Sequence, residues 1–352
     1  MKIIHTGDVH IGSALRSLPP EKAEIRKREI FEGFVALTRY AKENGVSAVV
    51  IAGDLFDENG VAPHWKKETL ACIAAANPVH FFYVSGNHDN ALEFSEPLPE
   101  NLFTFSHEHG WYSYDLGENV TLTGADFCNF AQVFSTPLHL PQSKYNIVTL
   151  HGGENIPLPY LIDQNVDYLA LGHIHKPMPK AEKLDYRGVY RYCGCPEARG
   201  FDEVGARGFF LLEIRAGRLV NEKFLSLAKR AVVEVRVDIT ACQTYLDVEN
   251  TVMNCAANVS LSDMVKVVLC GSPRAELRKD TPLLLARLCE KFFFATIEDR
   301  SRAYIDPRAF EKDLTERGEF IREVGRYEMN EDFRAEVLEV GLKALGGEEI
   351  DL

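Results

Sequence analysis

Residues 46–57, VSAVVIAGDLFD, decide how the chain is read: a short apolar run ends in AGDLFD, with two carboxylates three residues apart. Such a run predicts a buried strand, and strand ends in α/β proteins open onto the crevice where ligands bind. Gly53 lets the backbone turn sharply enough to present Asp54 to that crevice, where a carboxylate can hold metal. Four other stretches follow β-branched or apolar runs in the same way: GDVH at 7–10, GNHD at 86–89, LHGG at 150–153 and GHIH at 172–175.

Outward from this stretch, residues 2–6 read as a buried strand and 21–44 as a surface helix, with Ile25, Ile30, Phe34, Leu37 and Tyr40 at near-helical spacing. Gly45 closes that helix. A strand at 48–51, a helix at 66–76 and a strand at 79–84 follow, an alternation that implies parallel pairing. Beyond His88 short strands take over, at 111–115, 120–124, 147–150, 168–171, 190–193, 209–214 and 219–224, enough to require two sheets. A boundary is expected near 227–230. After it come a strand (232–238), a helix (245–258), a strand (264–269) and a helix (282–294), which make a small α/β cap. The remainder is charged, with an amphipathic stripe at Phe333, Val337, Leu338, Leu342 and Leu345 that either packs on its own domain or meets a partner. The expected division is 1–228, 229–300 and 301–352.

A chain of 352 residues with 46% hydrophobic content supports a real core and more than one unit. No apolar run approaches the roughly 20 residues of a membrane span, and the N-terminus lacks the pattern of a secretory signal. A soluble, cytoplasmic protein without membrane partners is expected. Of eight cysteines, Cys72, Cys128, Cys255, Cys270 and Cys289 sit in apolar context and read as reduced, buried thiols. Cys193 and Cys195 are too close for a zinc knuckle and read as structural. The net charge of −13 is awkward for a chain that grips nucleic acid alone. From Ser301 onward 14 acidic and 8 basic residues supply −6 of it, so a basic groove elsewhere stays open.

Asp8, His10, Asp54, Asp57, Asn87, His88, His151, His173 and His175 all stand at or beside predicted strand ends. Mixed Asp, His and Asn donors without thiolates suit manganese, iron or zinc better than calcium or magnesium. Asp89 reads as a turn residue. His5, His64, His80, His107, His109 and His139 lie outside the motifs and read as structural or solvated. Arg16, Arg199 and Arg207 are cations of the kind that touch phosphates, yet an exposed arginine is more often simply solvated, and no role is given to them.

The ordered series DVH, GDLFD, GNHD, LHGG, GHIH over residues 8–175 resembles the five-part signature of the calcineurin-like metallophosphoesterases. Tyr192 to Pro196, Gly200 to Glu203, and Gly208 resemble the SbcD branch of bacterial DNA repair exonucleases, with the YhaO type a close relative; Cys193 and Cys195 stand where that branch has serines. The resemblance implies a four-layer α-β-β-α sandwich of two mixed sheets, with the α/β cap and helical tail appended. It implies that Asp8, His10, Asp54 and His175 hold one divalent metal and Asp54, Asn87, His151 and His173 the other. Asp54 bridges, Mn2+ is the expected ion with Fe or Zn as alternatives, and a bridging hydroxide attacks phosphorus. His88 then stabilises the transition state or protonates the leaving alkoxide. Asp57 resembles the phosphatase-branch aspartate that hydrogen-bonds this histidine, or else caps a local turn; archaeal and eukaryotic members of the repair branch tend to carry histidine there. The implied partners are DNA and an ATPase resembling SbcC, with homodimerisation open. Three functions are carried forward: a DNA phosphodiesterase, a phosphoesterase acting on a small nucleotide or phosphoprotein, and a non-catalytic scaffold of the same fold.

Overall fold

β2 (Ala48–Ala52) is buried at all five positions, which fits a strand covered on both faces. It pairs in parallel with β1 (Lys2–Thr6) and β3 (His80–Val84), so that Val50 sits opposite both His5 and Phe82. The computed structural model describes residues 1–57, 61–89, 97–105, 110–274, 277–302, 304–305 and 307–346. His107 and His109 lie outside the described residues.

Contacts divide the chain into two units, Met1–Ala231 and Val232–Leu352. In the first, β1 to β3 are joined by α1 (Pro20–Glu43) and α2 (Pro63–Ala75) and flanked by the short edge strand β4 (Leu102–Thr104). After the short helices α3 (Phe130–Val133) and α4 (Leu158–Leu161), the chain returns to that sheet as β11 (Phe209–Arg215) and β12 (Arg218–Leu225), giving the order β12-β11-β1-β2-β3-β4. The second sheet has the order β5-β6-β7-β8-β10-β9, built from β5 (Tyr112–Gly117), β6 (Val120–Gly124), β7 (Tyr145–His151), β8 (Tyr168–Gly172), β9 (Glu182–Lys183) and β10 (Val189–Tyr192). Both sheets mix parallel and antiparallel pairs.

The period of two along each strand makes the layers. Ile3, Val50 and Phe82 from one sheet meet Leu122, Ile147, Tyr168 and Ala170 from the other in a single apolar core. The intervening Val148, Leu150, Leu169 and Leu171 face outward beneath Phe130, Val133 and Leu161. On the other flank α1 buries Ile30, Phe34, Leu37 and Ala41, one stripe of the helix. The result is the four-layer sandwich.

The second unit carries a parallel sheet of β13 (Val232–Asp238), β14 (Met264–Cys270) and β15 (Phe294–Asp299). Val237, Val265 and Val267 pack with Val248 and Val252 of α5 (Tyr245–Cys255) and with Leu284 and Leu288 of α6 (Thr281–Lys291). The sequence expectation of a helix through 294 is corrected here. The helix stops at Lys291, and the aromatic and β-branched Phe294, Thr296 and Ile297 form the third strand. In the tail, α7 (Glu316–Arg326) and α8 (Glu331–Gly346) close a small core of Ile321, Val324 and Leu338, with Val337 and Leu342 against it. Phe333 and Leu345, expected in the same stripe, are exposed.

The thiols also depart from expectation. Cys193, Cys195 and Cys242 are the buried ones, whereas Cys128 and Cys255 are exposed and Cys72, Cys270 and Cys289 half-buried. An apolar neighbour in sequence does not fix which face of a helix a residue takes.

Candidate functional site

Five strands deliver the site. Asp8 and His10 follow β1, Asp54 and Asp57 follow β2, and Asn87, His88 and Asp89 follow β3; His151 ends β7, and His173 and His175 follow β8. The turns are strained. Asp8, His10, Asp54 and His173 have φ of 50°, 52°, 49° and 92°, a region that costs a residue with a Cβ about 1–3 kcal/mol.

The loops hold these turns by over-determining one another. Asp8 N–H donates to Gly53 O and His10 N–H to Asp54 O, each at 3.0 Å. His173 N–H donates to the Asp8 carboxylate at 2.8 Å, and His88 N–H to Asp54 Oδ1 at 2.9 Å. Buried Asp89 accepts from Gly86 N–H at 2.5 Å and from Leu55 N–H at 2.7 Å, so its turn role extends to stitching the β3 loop to the β2 loop. Gly86 has to stay bare, because a Cβ there would collide with Asp54 Oδ1.

The side-chain donors converge in two groups that meet at Asp54. Asp54 Oδ2 lies 3.5 Å from His10 Nε2 and 3.3 Å from His151 Nε2. On one side His10 Nε2 faces His175 Nε2 at 3.1 Å, and Asp8, His10 and His175 offer donor atoms within 4.8 Å of one another. On the other side Asn87 Oδ1 lies 2.9 Å from His151 Nε2 and 3.0 Å from His173 Nδ1.

The partners of the ring nitrogens limit what these groups can hold. His10 Nδ1 is 3.1 Å from Asp57 Oδ1 and His175 Nδ1 is 2.7 Å from Glu203 Oε1. Those carboxylates are ionised. Burial raises both, but hydrogen bonds from His10 and Ser13, with the Arg199 charge, hold Asp57 well below the usual carboxylate range, and His175 with Arg199 holds Glu203 at about 2. His10 Nδ1 therefore donates and turns its Nε2 lone pair toward His175 Nε2, while His175 Nδ1 lies between Glu203 Oε1 and Arg199 Nη2 at 2.7 and 3.0 Å. His151 Nδ1 likewise donates to Ala52 O at 2.9 Å, which turns its Nε2 to the oxygens of Asp54 and Asn87, a place for either a proton or a metal cation. A metal cation among these converging donor atoms would satisfy them together.

The ionisation pattern carries the same message. Burial lifts Asp8 to about 6 against the pull of His151 and His175, and pushes His10 down to about 4 despite its bond to Asp57. His151 moves the other way. Burial disfavours its charge, yet the Asp54 hydrogen bond and the Asp8 carboxylate carry it up to about 9; Asp54, which burial would raise, is held at about 2 by the hydrogen bond and charge of His151. In the metal-free protein a proton on His151 supplies positive charge that the carboxylates demand.

His88 stands beside this cluster and belongs to neither group. Its Nδ1 is 3.0 Å from Asp57 Oδ1, and a third of its side chain is exposed. It opens onto a cleft of about 440 Å³ lined by Ser13, Arg16, Ser17, Asp57 and Arg199. Arg207 is different. It is buried, with its guanidinium donating to the carbonyls of His175, Glu203 and Val204, so it braces the loop and does not face the cleft. Of the histidines outside the motifs, His5 is buried against Tyr168 OH at 3.0 Å, while His64, His80 and His139 are exposed. Sequence reasoning gave Glu203 no role; it follows His175 by 28 residues and only the fold brings the two together.

A fold of two facing mixed sheets with Asp, Asn and His donors at their shared edge defines a class. The family model for calcineurin-like phosphoesterases matches residues 1–177, and the chain belongs to that family. Within it, the chain is 27% identical over 288 residues to the DNA double-strand break repair protein Mre11 of Methanopyrus kandleri, a match covering 67% of this chain and 59% of that one. It is 23% identical over 264 residues to the Mre11 of Sulfolobus acidocaldarius, covering 68% and 67%. It is 25% identical over 246 residues to the uncharacterized metallophosphoesterase YhaO of Bacillus subtilis, covering 63% and 59%. The chain thus spans about three-fifths of the Methanopyrus relative it matches. Family membership implies two divalent ions, and the convergence of Asp, Asn and His donor atoms on two places that share Asp54 fits that requirement. No helix among the described residues is long and apolar enough to cross a membrane.

Proposed function

We propose that the chain hydrolyses DNA phosphodiester bonds as the nuclease subunit of a repair complex with an SbcC-like ATPase. The observation that carries the reading is the His88–Asp57 pair beside two donor groups that share Asp54; similarity to two DNA repair proteins supplies the substrate class. Asp8, His10, Asp54 and His175 would hold one ion, and Asp54, Asn87, His151 and His173 the other. Two ions held by these residues would supply Lewis acidity to the phosphoryl group and lower the pKa of bound water toward neutrality.

The chain's own residues do the rest. Asp57 fixes His88 through Nδ1, leaving Nε2 to give a proton to the departing alkoxide, work worth about 10²–10⁴-fold. Ala52 O fixes the His151 ring, and Glu203 fixes His175. In this reading residues 1–228 form the catalytic domain, 229–300 a cap that orients the duplex, and 301–352 a helical segment for the ATPase. The partner also answers the −13 charge, by supplying cations for the DNA backbone. Mn2+ is the proposed ion and the cytoplasm the proposed compartment.

The second reading, a small phosphodiester or phosphoprotein substrate, is favoured by that charge and by Asp57, the phosphatase-like choice. Cleavage of linear duplex DNA, single-stranded DNA and bis-p-nitrophenyl phosphate, with and without Mn2+ and the ATPase, separates the two. Mn2+-dependent DNA degradation that disappears in His88→Ala while metal uptake persists is the expected result. Hydrolysis of the small diester with DNA left intact, even with the ATPase present, would sink the DNA reading.

A further inference from the structure

We propose that Arg199 is a positioning residue that braces, through two carboxylates, the two histidines of one metal position, and so makes the two positions unequal. The inference rests on the two-metal reading given above.

His10 and His175 approach each other Nε2 to Nε2, and each is backed by a carboxylate, Asp57 at 3.1 Å and Glu203 at 2.7 Å. The Arg199 guanidinium lies against both carboxylates. Its Nε and Nη2 are 3.3 and 3.4 Å from Glu203 Oε1, and its Nη1 is 3.7 Å from Asp57 Oδ1. Its own backbone N–H donates to the other Glu203 oxygen at 2.6 Å. Nη2 also comes within 3.0 Å of His175 Nδ1. A planar guanidinium fork can hold two carboxylates in fixed orientation, which a single ammonium on a flexible stem cannot.

The other histidine pair is built differently. His151 rests on Ala52 O, a carbonyl that the sheet already fixes, and His173 is turned toward Asn87. The loop that carries Arg199 is itself anchored. Buried Glu197 pairs with buried Arg26 at 2.9 Å and accepts Lys229 N–H at 2.6 Å, and Arg207 holds the loop's far end. Arg199 is therefore a fixed strut, and orientation lost there is felt at His10 and His175 while His151 keeps its support. Outer carboxylates of this kind are worth about 10–100-fold in metal affinity.

Titration calorimetry with Mn2+ on the full chain tests this, using wild type, Arg199→Lys and Glu203→Gln. Lysine keeps the charge and loses the fork, so it isolates orientation from electrostatics. Two Mn2+ are expected to bind wild type; Arg199→Lys should weaken one of them about 10–100-fold and leave the other unchanged, with Glu203→Gln giving the same split. Arg199→Lys should add a smaller loss in a His175→Ala background than in wild type, because only the Asp57–His10 arm remains, and should weaken binding undiminished in His173→Ala. On bis-p-nitrophenyl phosphate, kcat should fall at limiting Mn2+ and recover at saturation, with KM unchanged. Wild-type affinity at both positions in Arg199→Lys overturns the proposal. So does a raised KM for DNA with Mn2+ binding intact, because Arg199 would then touch substrate and not brace histidines. Uptake of fewer than two Mn2+ by wild type is a separate failure, that of the two-metal reading itself.

Discussion

One oxygen of Asp57 serves two histidines, with His10 Nδ1 at 3.1 Å and His88 Nδ1 at 3.0 Å. The proposed ligand and the proposed acid are thereby set by the same atom, and substitutions should separate their roles. His88→Ala should lower kcat about 10²–10⁴-fold with both Mn2+ still bound, whereas Asp57→Asn should lower metal affinity as well; steady-state kinetics beside Mn2+ titration checks the contrast. Glu203 makes a prediction about acid. Its folded-state ionisation lies at about 2, below the ordinary 4.5, so its contribution is complete above about pH 4.5 and is lost as pH falls toward 2. That contribution is on the order of 3 kcal/mol. Denaturant unfolding of the metal-free protein between pH 5 and 2 should show a flatter acid limb in Glu203→Gln than in wild type.

At the scale of elements, the loops after β1, β2 and β3 act as one body, since their hydrogen bonds and close approaches are mutual. Gly86→Ala, which pushes a Cβ into Asp54, should cost Mn2+ binding before it costs secondary structure, a difference that titration and circular dichroism separate. Arg26→Ala leaves buried Glu197 without its cation and should destabilise the first unit by about 3–5 kcal/mol, measured by denaturant unfolding. Much of this layer is legible in the chain itself. Each motif follows an apolar run, so the strand ends and the residues standing on them can be placed without coordinates. Glu203 and Arg199 are not legible in that way, because their meaning lies in pairs made across a fold. β15 was hidden for another reason: Phe292 to Phe294 are equally apolar as the end of α6 or the start of a strand, and only pairing with β14 decides. β4 and β9 are too short to leave a periodic signal.

For the whole molecule, two units with separate apolar cores imply two events on heating. All the proposed metal donors lie between residues 8 and 175, inside the first unit. Removal of Mn2+ with EDTA should lower only that unit's transition, since a ligand at about 100 times its Kd contributes about 2.7 kcal/mol to the state that binds it. Differential scanning calorimetry should find the second unit's transition unmoved; a shift of both would show that the units melt together.

The four left-handed residues at the strand ends, Asp8, His10, Asp54 and His173, also bear on how such a chain can drift. Where hydrolysis is no longer under selection, replacing one of them by glycine relieves backbone strain and removes a proposed metal donor in the same step. The two effects oppose each other when Mn2+ is bound and leave only the relief of strain when it is absent, so a survivor of selection for thermostability of the metal-free protein should be screened first at these four positions.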